Sequence, residues 1–109
     1  MKEIVEYLNS KNIICKRLKE VKPKSLESRK KIEIFVGIDL KHYYCSFLLI
    51  EKKSRVLKKE VAEIIELHNK LEIFEDSKIT KRYIRIKAPL CSHAKAMLEE
   101  NGWRVWMNT

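Results

Sequence analysis

The amino-acid sequence predicts an α/β fold, a mixed sheet with flanking helices in the element order α-β-β-β-α-β-α-β, built as a single domain over residues 1–109. An apolar hairpin pattern over residues 31–53, an amphipathic helical pattern after it and a β-α-β pattern near the end support this prediction. A hairpin that feeds a crossover helix places antiparallel and parallel strands in one sheet. With 45% apolar and 36% charged residues, and only two Gly and two Pro, the chain can bury a core and is not disordered.

The first third of the chain contains a helix, a strand and a loop. Apolar residues with helical spacing predict a short helix at about residues 2–10. Residues 12–18 are β-branched at their start and then alternate, which favours a strand, although a helix continued through Leu18 is the alternative. Residues 20–29 contain Pro23, two serines and dense charge, and we expect an exposed loop there.

The middle of the chain is its most apolar part. Residues 31–53 are interrupted only at residues 39–42, which predicts two long strands around a tight turn. Ser54 can then cap an amphipathic helix that ends near Leu71. The apolar face of this helix is formed by Leu57, Val61, Ile64, Ile65, His68 and Leu71.

The last third reads as a β-α-β unit. Residues 81–87 predict a strand, and residues 103–107 predict the final one. Between them, Pro89 is placed to open a helix that Gly102 closes.

The chain is strongly basic, with 24 Lys+Arg against 15 Asp+Glu and a net charge of +9. Such a surface attracts polyanions, and nucleic acid is the partner we expect, although a lysine-rich coding bias gives the same composition. The basic residues form two clusters, one on each side of the hairpin. The predicted phosphate contacts are Lys22, Lys24, Arg29, Lys30, Lys31, Lys52, Arg55, Lys58 and Lys59.

The sequence also limits where the protein works. No apolar run approaches the roughly 20 residues that a membrane-spanning helix needs, and no signal segment is visible at the start. Cys15, Cys45 and Cys91 are widely spaced and odd in number, which is typical of proteins of a reducing compartment. We therefore expect a cytoplasmic protein.

A Glu-x-Lys triplet ends the second strand of the hairpin. Glu51 and Lys53 are two residues apart, and on a strand such residues share a face, so that the carboxylate can bind a divalent metal while the amine orients water. About two such triplets are expected by chance in this composition, and Glu20-Val21-Lys22 is the other one. The significance of Glu51 and Lys53 therefore depends on their position, after an apolar strand and before an amphipathic helix.

This arrangement resembles the PD-(D/E)XK nuclease superfamily, whose core order is α-β-β-β-α-β and whose third strand ends in Glu-x-Lys. The resemblance implies a restriction-endonuclease-like fold, with Glu51 helping to hold magnesium and Lys53 assisting the attacking water. The segment from Ile84 through Trp103 also looks like the late β-α-β addition of several such nucleases. The family's Pro-Asp on the preceding strand is not present here, and Glu33 and Asp39 are the candidates for its role.

The register of the hairpin decides between these two acids. If Asp39 pairs with His42, then Glu33 and Asp39 both project from the face opposite to Glu51. A three-residue connection, residues 40–42, instead places Glu33 on the Glu51 face near Leu49, whereas Asp39 shares that face but lies near the turn. In addition, Glu3 or Glu6 of the first helix can contribute a carboxylate.

Three functional hypotheses follow. The first is a magnesium-dependent endonuclease, or a diverged and inactive relative, in which Glu51, Glu33 and Asp39 are the metal candidates. The second is a non-catalytic basic protein that binds nucleic acid or an acidic partner. The third is a thioltransfer-like protein, because residues 88–95 resemble the redox turn of a glutaredoxin, with Cys91 at a helix start although the first cysteine is absent. Self-association as a homodimer is a further expectation, since many small nucleases pair to cut two strands.

Overall fold

The structure, a computed structural model, describes residues 2–107, and its element order is the predicted one. A short 3-10 helix, Pro23–Leu26, lies between the first two strands. The helices and strands are α1 (Lys2–Ser10), β1 (Cys15–Glu20), β2 (Ile32–Asp39), β3 (Tyr44–Glu51), α2 (Lys58–Glu75), β4 (Lys81–Lys87), α3 (Ser92–Glu100) and β5 (Trp103–Met107).

Within the described residues, five strands form one mixed sheet in the order β1-β2-β3-β4-β5. The pairs β1–β2 and β2–β3 are antiparallel, whereas β3–β4 and β4–β5 are parallel. The helices α2 and α3 are the crossovers that the two parallel pairs require. The predicted mixed sheet with flanking helices is therefore confirmed.

Alternating side chains of the sheet pack on its two faces. One face packs against α2 and α3, around a core that includes Ile34, Leu48, Ile64, Ile84 and Leu98. The other face packs against α1, in a smaller cluster formed by Ile4, Leu8, Phe35, Cys45 and Phe47. Residue 33 alternates with Ile34, so the side chain of Glu33 projects on the α1 side.

The turn of the hairpin has a three-residue connection. Asp39 N–H donates to Tyr43 O at 2.9 Å, and His42 N–H donates to Asp39 O at 3.0 Å. His42 has the left-handed conformation, with φ of 69°. Ile38 consequently pairs with Tyr44, and every pair down to Ile32 and Ile50 follows in the same register.

The link between the sheet and α2 differs from the prediction. The helix begins at Lys58 rather than Ser54 and continues to Glu75, past the expected end at Leu71. The residue before the helix, Leu57, is exposed and has an extended backbone with φ of −109°. The helix cannot begin earlier because Val56 forms a parallel bridge with Leu90. The same bridge excludes Pro89 from α3, which begins at Ser92.

Three further elements lie close to their expected positions. The first strand is shifted to Cys15–Glu20. The loop over residues 20–29 is not wholly exposed, since Val21 and Leu26 are buried in the core against α2. Gly102 ends α3 with a φ of 83°, as predicted.

No helix among residues 2–107 is long and apolar enough to cross a membrane.

Candidate active site

A cavity of about 680 Å³ opens on the α1 side of the sheet, where β2 begins and β3 ends. Apolar side chains of the sheet and of α1 form its inner wall, including Ile4, Phe35 and Leu49. Its charged lining consists of Glu3, Glu20, Glu33, Glu51, Lys31, Arg85 and Lys87. The cavity thus combines four carboxylates with three cations.

The register of β2 against β3 places Glu33 and Glu51 on the same face of the sheet. Glu33 pairs directly with Leu49, and Leu49 lies two residues before Glu51 on the same strand. Diagonal neighbours of this kind in an antiparallel pair lie roughly 7–8 Å apart between Cα atoms. Of the two registers open to the sequence, the structure has the one in which both acids project into the cavity.

Asp39 lies outside this cavity and does not join Glu51, which corrects its candidacy as a metal ligand and catalytic residue. It is six residues from Glu33 along β2, about 20 Å at the usual strand rise. One carboxylate oxygen accepts the backbone N–H groups of Lys41 and Tyr43, each at 2.9 Å. The other oxygen lies 2.5 Å from Lys81 Nζ, and this hydrogen bond lowers the pKa of Asp39 below its usual value. Asp39 therefore organises the hairpin turn.

The helix α1 also contributes a carboxylate to the cavity. Glu3 lines it, whereas Glu6, the other helix candidate, is exposed and does not. The position of α1 is supported by Tyr7, whose ring contacts Trp106 edge to face at 5.4 Å and lies 4.0 Å from the Arg85 guanidinium carbon. These contacts fix the helix above the sheet at the edge of the cavity.

Glu51 and Lys53 of the Glu-x-Lys triplet do not both line the carboxylate cavity. Strand β3 ends at Glu51, and Lys53 follows in a bend, exposed. Lys53 lines an adjoining depression with Lys52, Lys87 and Pro89 and does not line the carboxylate cavity. The lysine beside Glu51 is Lys87 of β4, which pairs with it in register and places its Nζ 4.0 Å from Glu51 Oε2.

Sequence reasoning missed Lys87 and Arg85, although a signal for Lys87 was present. The strand Lys81–Lys87 follows a crossover helix, so it is expected to run parallel to β3. Carboxyl ends of parallel strands meet at the same edge of a sheet, and residue 87 is the carboxyl end of β4.

Several of the predicted phosphate contacts are engaged in ion pairs. Lys22 lies 3.0 Å from Glu20, Lys30 lies 3.2 Å from Glu63 of α2, and Lys52 pairs with Glu60 of α2. Lys19, from the same basic cluster, pairs with Glu75 at the end of α2 at 2.8 Å. The remaining predicted contacts are exposed: Lys24, Arg29, Lys31, Arg55, Lys58 and Lys59.

The donor set of the cavity fits magnesium. Mg²⁺ is usually bound by one or two carboxylates and completes its shell with water and substrate phosphates. Glu33 and Glu51 supply two such carboxylates on one face. Among residues 2–107, no three His, Cys, Asp or Glu side chains are gathered closely enough to form a metal cluster by themselves.

Cys91 lies at the start of α3, in a basic environment. The backbone N–H groups of Ala94 and His93 lower the pKa of its thiol, with smaller effects from Arg55 and Lys58. Its side chain packs on the α2 and α3 side, whereas Cys15 and Cys45 belong to the opposite face. No second thiol among the described residues accompanies Cys91, so the arrangement lacks the cysteine pair of a redox turn.

Comparison with known proteins identifies structural relatives only. No protein-family model and no curated protein sequence matches the chain. The apo structure of EndoMS is similar over 98% of this chain and 45% of its own length, with a TM-score of 0.54 and 18% identity. A repair endonuclease from Pyrococcus abyssi is similar over 98% of this chain and 46% of its own, with a TM-score of 0.51 and 16% identity.

These similarities establish the fold. The mixed five-stranded sheet with flanking helices, which the sequence predicted, is similar to the fold of those two structures. The chain spans less than half the length of either structure.

Proposed function

We propose that the protein is a nuclease-like protein that binds nucleic acid and cleaves it in a metal-dependent reaction at the carboxylate cavity. The observation that carries this proposal is the register that brings Glu33 and Glu51 to one face, beside lysine amines. The fold similarity to the EndoMS structure and to a repair endonuclease supports it. The PD-(D/E)XK resemblance agrees with this site at Glu51, whereas Lys53 lines the adjoining depression.

Each group has a chemical task in this proposal. Glu51 and Glu33 would hold Mg²⁺, and Glu3 lines the same cavity. A bound Mg²⁺ polarises a phosphoryl oxygen and lowers the pKa of water. A lysine amine at this site would orient the attacking water or stabilise the charge that develops on phosphorus. The triplet offers Lys53, in the adjoining depression, for this task.

Binding would use the basic residues around the mouth of the cavity. Lys31 and Lys87 line it, and Lys53 lies in the adjoining depression. More distant exposed residues, such as Arg55 and Lys58, would contact phosphates farther along the strand. Contacts of this kind position a duplex or a single strand without reading its sequence. Assembly into a homodimer stays a prediction.

A cleavage assay tests the proposal. Supercoiled plasmid and single-stranded DNA and RNA are incubated with the protein and Mg²⁺ or Mn²⁺. Cleavage is expected in wild type, and Glu51→Ala and Glu33→Ala should each reduce the rate by at least about 100-fold. Glu100→Ala removes an exposed carboxylate on the other side of the sheet and should keep wild-type activity.

The assay also separates the alternative function. If wild type and the Glu51 and Glu33 variants are equally inert but all bind nucleic acid, the protein is the non-catalytic binding module instead. If none of them binds, both hypotheses are refuted.

A further inference from the structure

Lys87 occupies a fixed position beside Glu51. Strands β3 and β4 pair residue by residue from Cys45 and Lys81 to Glu51 and Lys87. The pairing continues one step farther, since Lys52 N–H donates to Lys87 O at 3.3 Å. The backbone of Lys87 is thereby held at the end of the sheet, and its Nζ lies 4.0 Å from Glu51 Oε2.

Lys53 lacks these constraints. It follows the last residue of β3, in a bend, and its side chain is exposed. It lines only the outer depression, whereas Lys87 and Glu51 line both this depression and the carboxylate cavity. Lys87 therefore connects the carboxylates to the adjoining basic surface.

The ion pair between Lys87 and Glu51 contributes little to folding. The two side chains are 37% and 78% exposed, and exposed pairs of this kind are weakly stabilising. The amine can therefore exchange its carboxylate partner for another anion at little cost. A substrate phosphate at the cavity mouth is such an anion.

We propose that Lys87 of β4, rather than Lys53, is the amine that contacts the substrate phosphate beside Glu51, and that it is the counter-ion of Glu51 until a divalent cation binds. This inference rests on the proposed nuclease function and specifies its lysine. Lys87 is then a catalytic residue that a neighbouring strand contributes, and Lys53 contributes only general phosphate attraction.

Cleavage rates of matched variants test the first part. Lys87→Met should reduce the rate by about 100-fold or more, as expected for loss of a positioned cationic donor, and Lys87→Arg should recover part of it. Lys53→Met should cost less than about ten-fold. Lys95→Met removes an exposed lysine from α3 and controls for net charge. A larger loss in Lys53→Met than in Lys87→Met, or an unaffected Lys87→Met, would overturn the inference.

Cation binding without substrate tests the second part independently of cleavage. Calorimetric titration of the free protein with Mn²⁺ should show about five-fold tighter binding for Lys87→Met than for wild type. The reason is that the variant lacks the positive charge about 4 Å from the Glu51 carboxylate. The difference should vanish in a Glu51→Gln background, and Lys95→Met should bind as wild type does. If wild type does not cleave, the nuclease function fails, but this titration still decides the pairing. Equal affinities for wild type and Lys87→Met, or no Mn²⁺ binding by either, would contradict it.

Discussion

Lowering the pH from 7 to 5 should destabilise the folded protein through His68. This side chain is 2% exposed, its Nε2 lies 2.9 Å from Ser46 Oγ, and its ring contacts Trp103 edge to face at 4.8 Å. Burial lowers the pKa of His68 to about 4, with a further contribution from the charge of Arg82 and an opposing one from Glu72. The folded state therefore resists protonation of this ring.

The sign and size of this change in stability follow from the linkage between proton binding and folding. Between the unfolded value of 6.5 and the folded value of about 4, the unfolded chain binds a proton that the folded protein does not. The free energy of unfolding thus falls as the pH drops, by about 2 kcal/mol between pH 7 and pH 5 and by about 3 kcal/mol in total below pH 4.

Urea unfolding at pH 7, 6 and 5, followed by tryptophan fluorescence, measures this effect. His68→Gln should lose most of the dependence over this range, because its side chain does not titrate, while Lys70→Gln, an exposed change on the same helix, should keep it. The same pH dependence in wild type and His68→Gln would refute the reasoning.

Three further predictions concern the turn, the packing and the partner. Gly37→Ala should destabilise the protein by about 1–3 kcal/mol, since the added Cβ would overlap Cys15 Sγ and approach Lys16 O to 3.1 Å. Cys15→Ala should restore part of that loss in urea unfolding, and a double variant no more stable than Gly37→Ala would argue against this packing. Asp39→Asn should lower the melting temperature, because Lys81 loses its carboxylate partner, yet leave the cleavage rate within about two-fold, whereas a metal ligand would cost far more. Affinity for duplex DNA should fall steeply as salt rises from about 50 to about 200 mM, and a flat response would exclude phosphate-dominated binding.

The sequence predicted the element order because each strand and helix has a strong local pattern. The strand predicted at about residues 81–87, where apolar and charged side chains alternate, is β4. The start of α2 was predicted incorrectly, because it depends on the bridge between Val56 and Leu90, which is a contact between distant parts of the chain. Local patterns carry no information about such contacts.

The candidate site was predictable in part. Strand β2 is buried on both faces, and its nearly continuous apolar run gives no alternation that would fix the register. The register depends instead on the turn, where the Asp39 carboxylate accepts two N–H groups and His42 adopts a positive φ. The sequence alone therefore leaves both Glu33 and Asp39 as candidates. The position of Lys87 depends in addition on the register of β4 against β3.

The ion pairs that link α2 to the basic clusters have a consequence for how affinity can be tuned. Glu60, Glu63 and Glu75 pair with Lys52, Lys30 and Lys19, so in the proposed function they would compete with nucleic-acid phosphates for these lysines. Neutral substitutions at these glutamates would enlarge the attractive surface without a single added cation. In the proposed function, substitutions on this helix would therefore change the affinity for nucleic acid while the cavity stays unchanged.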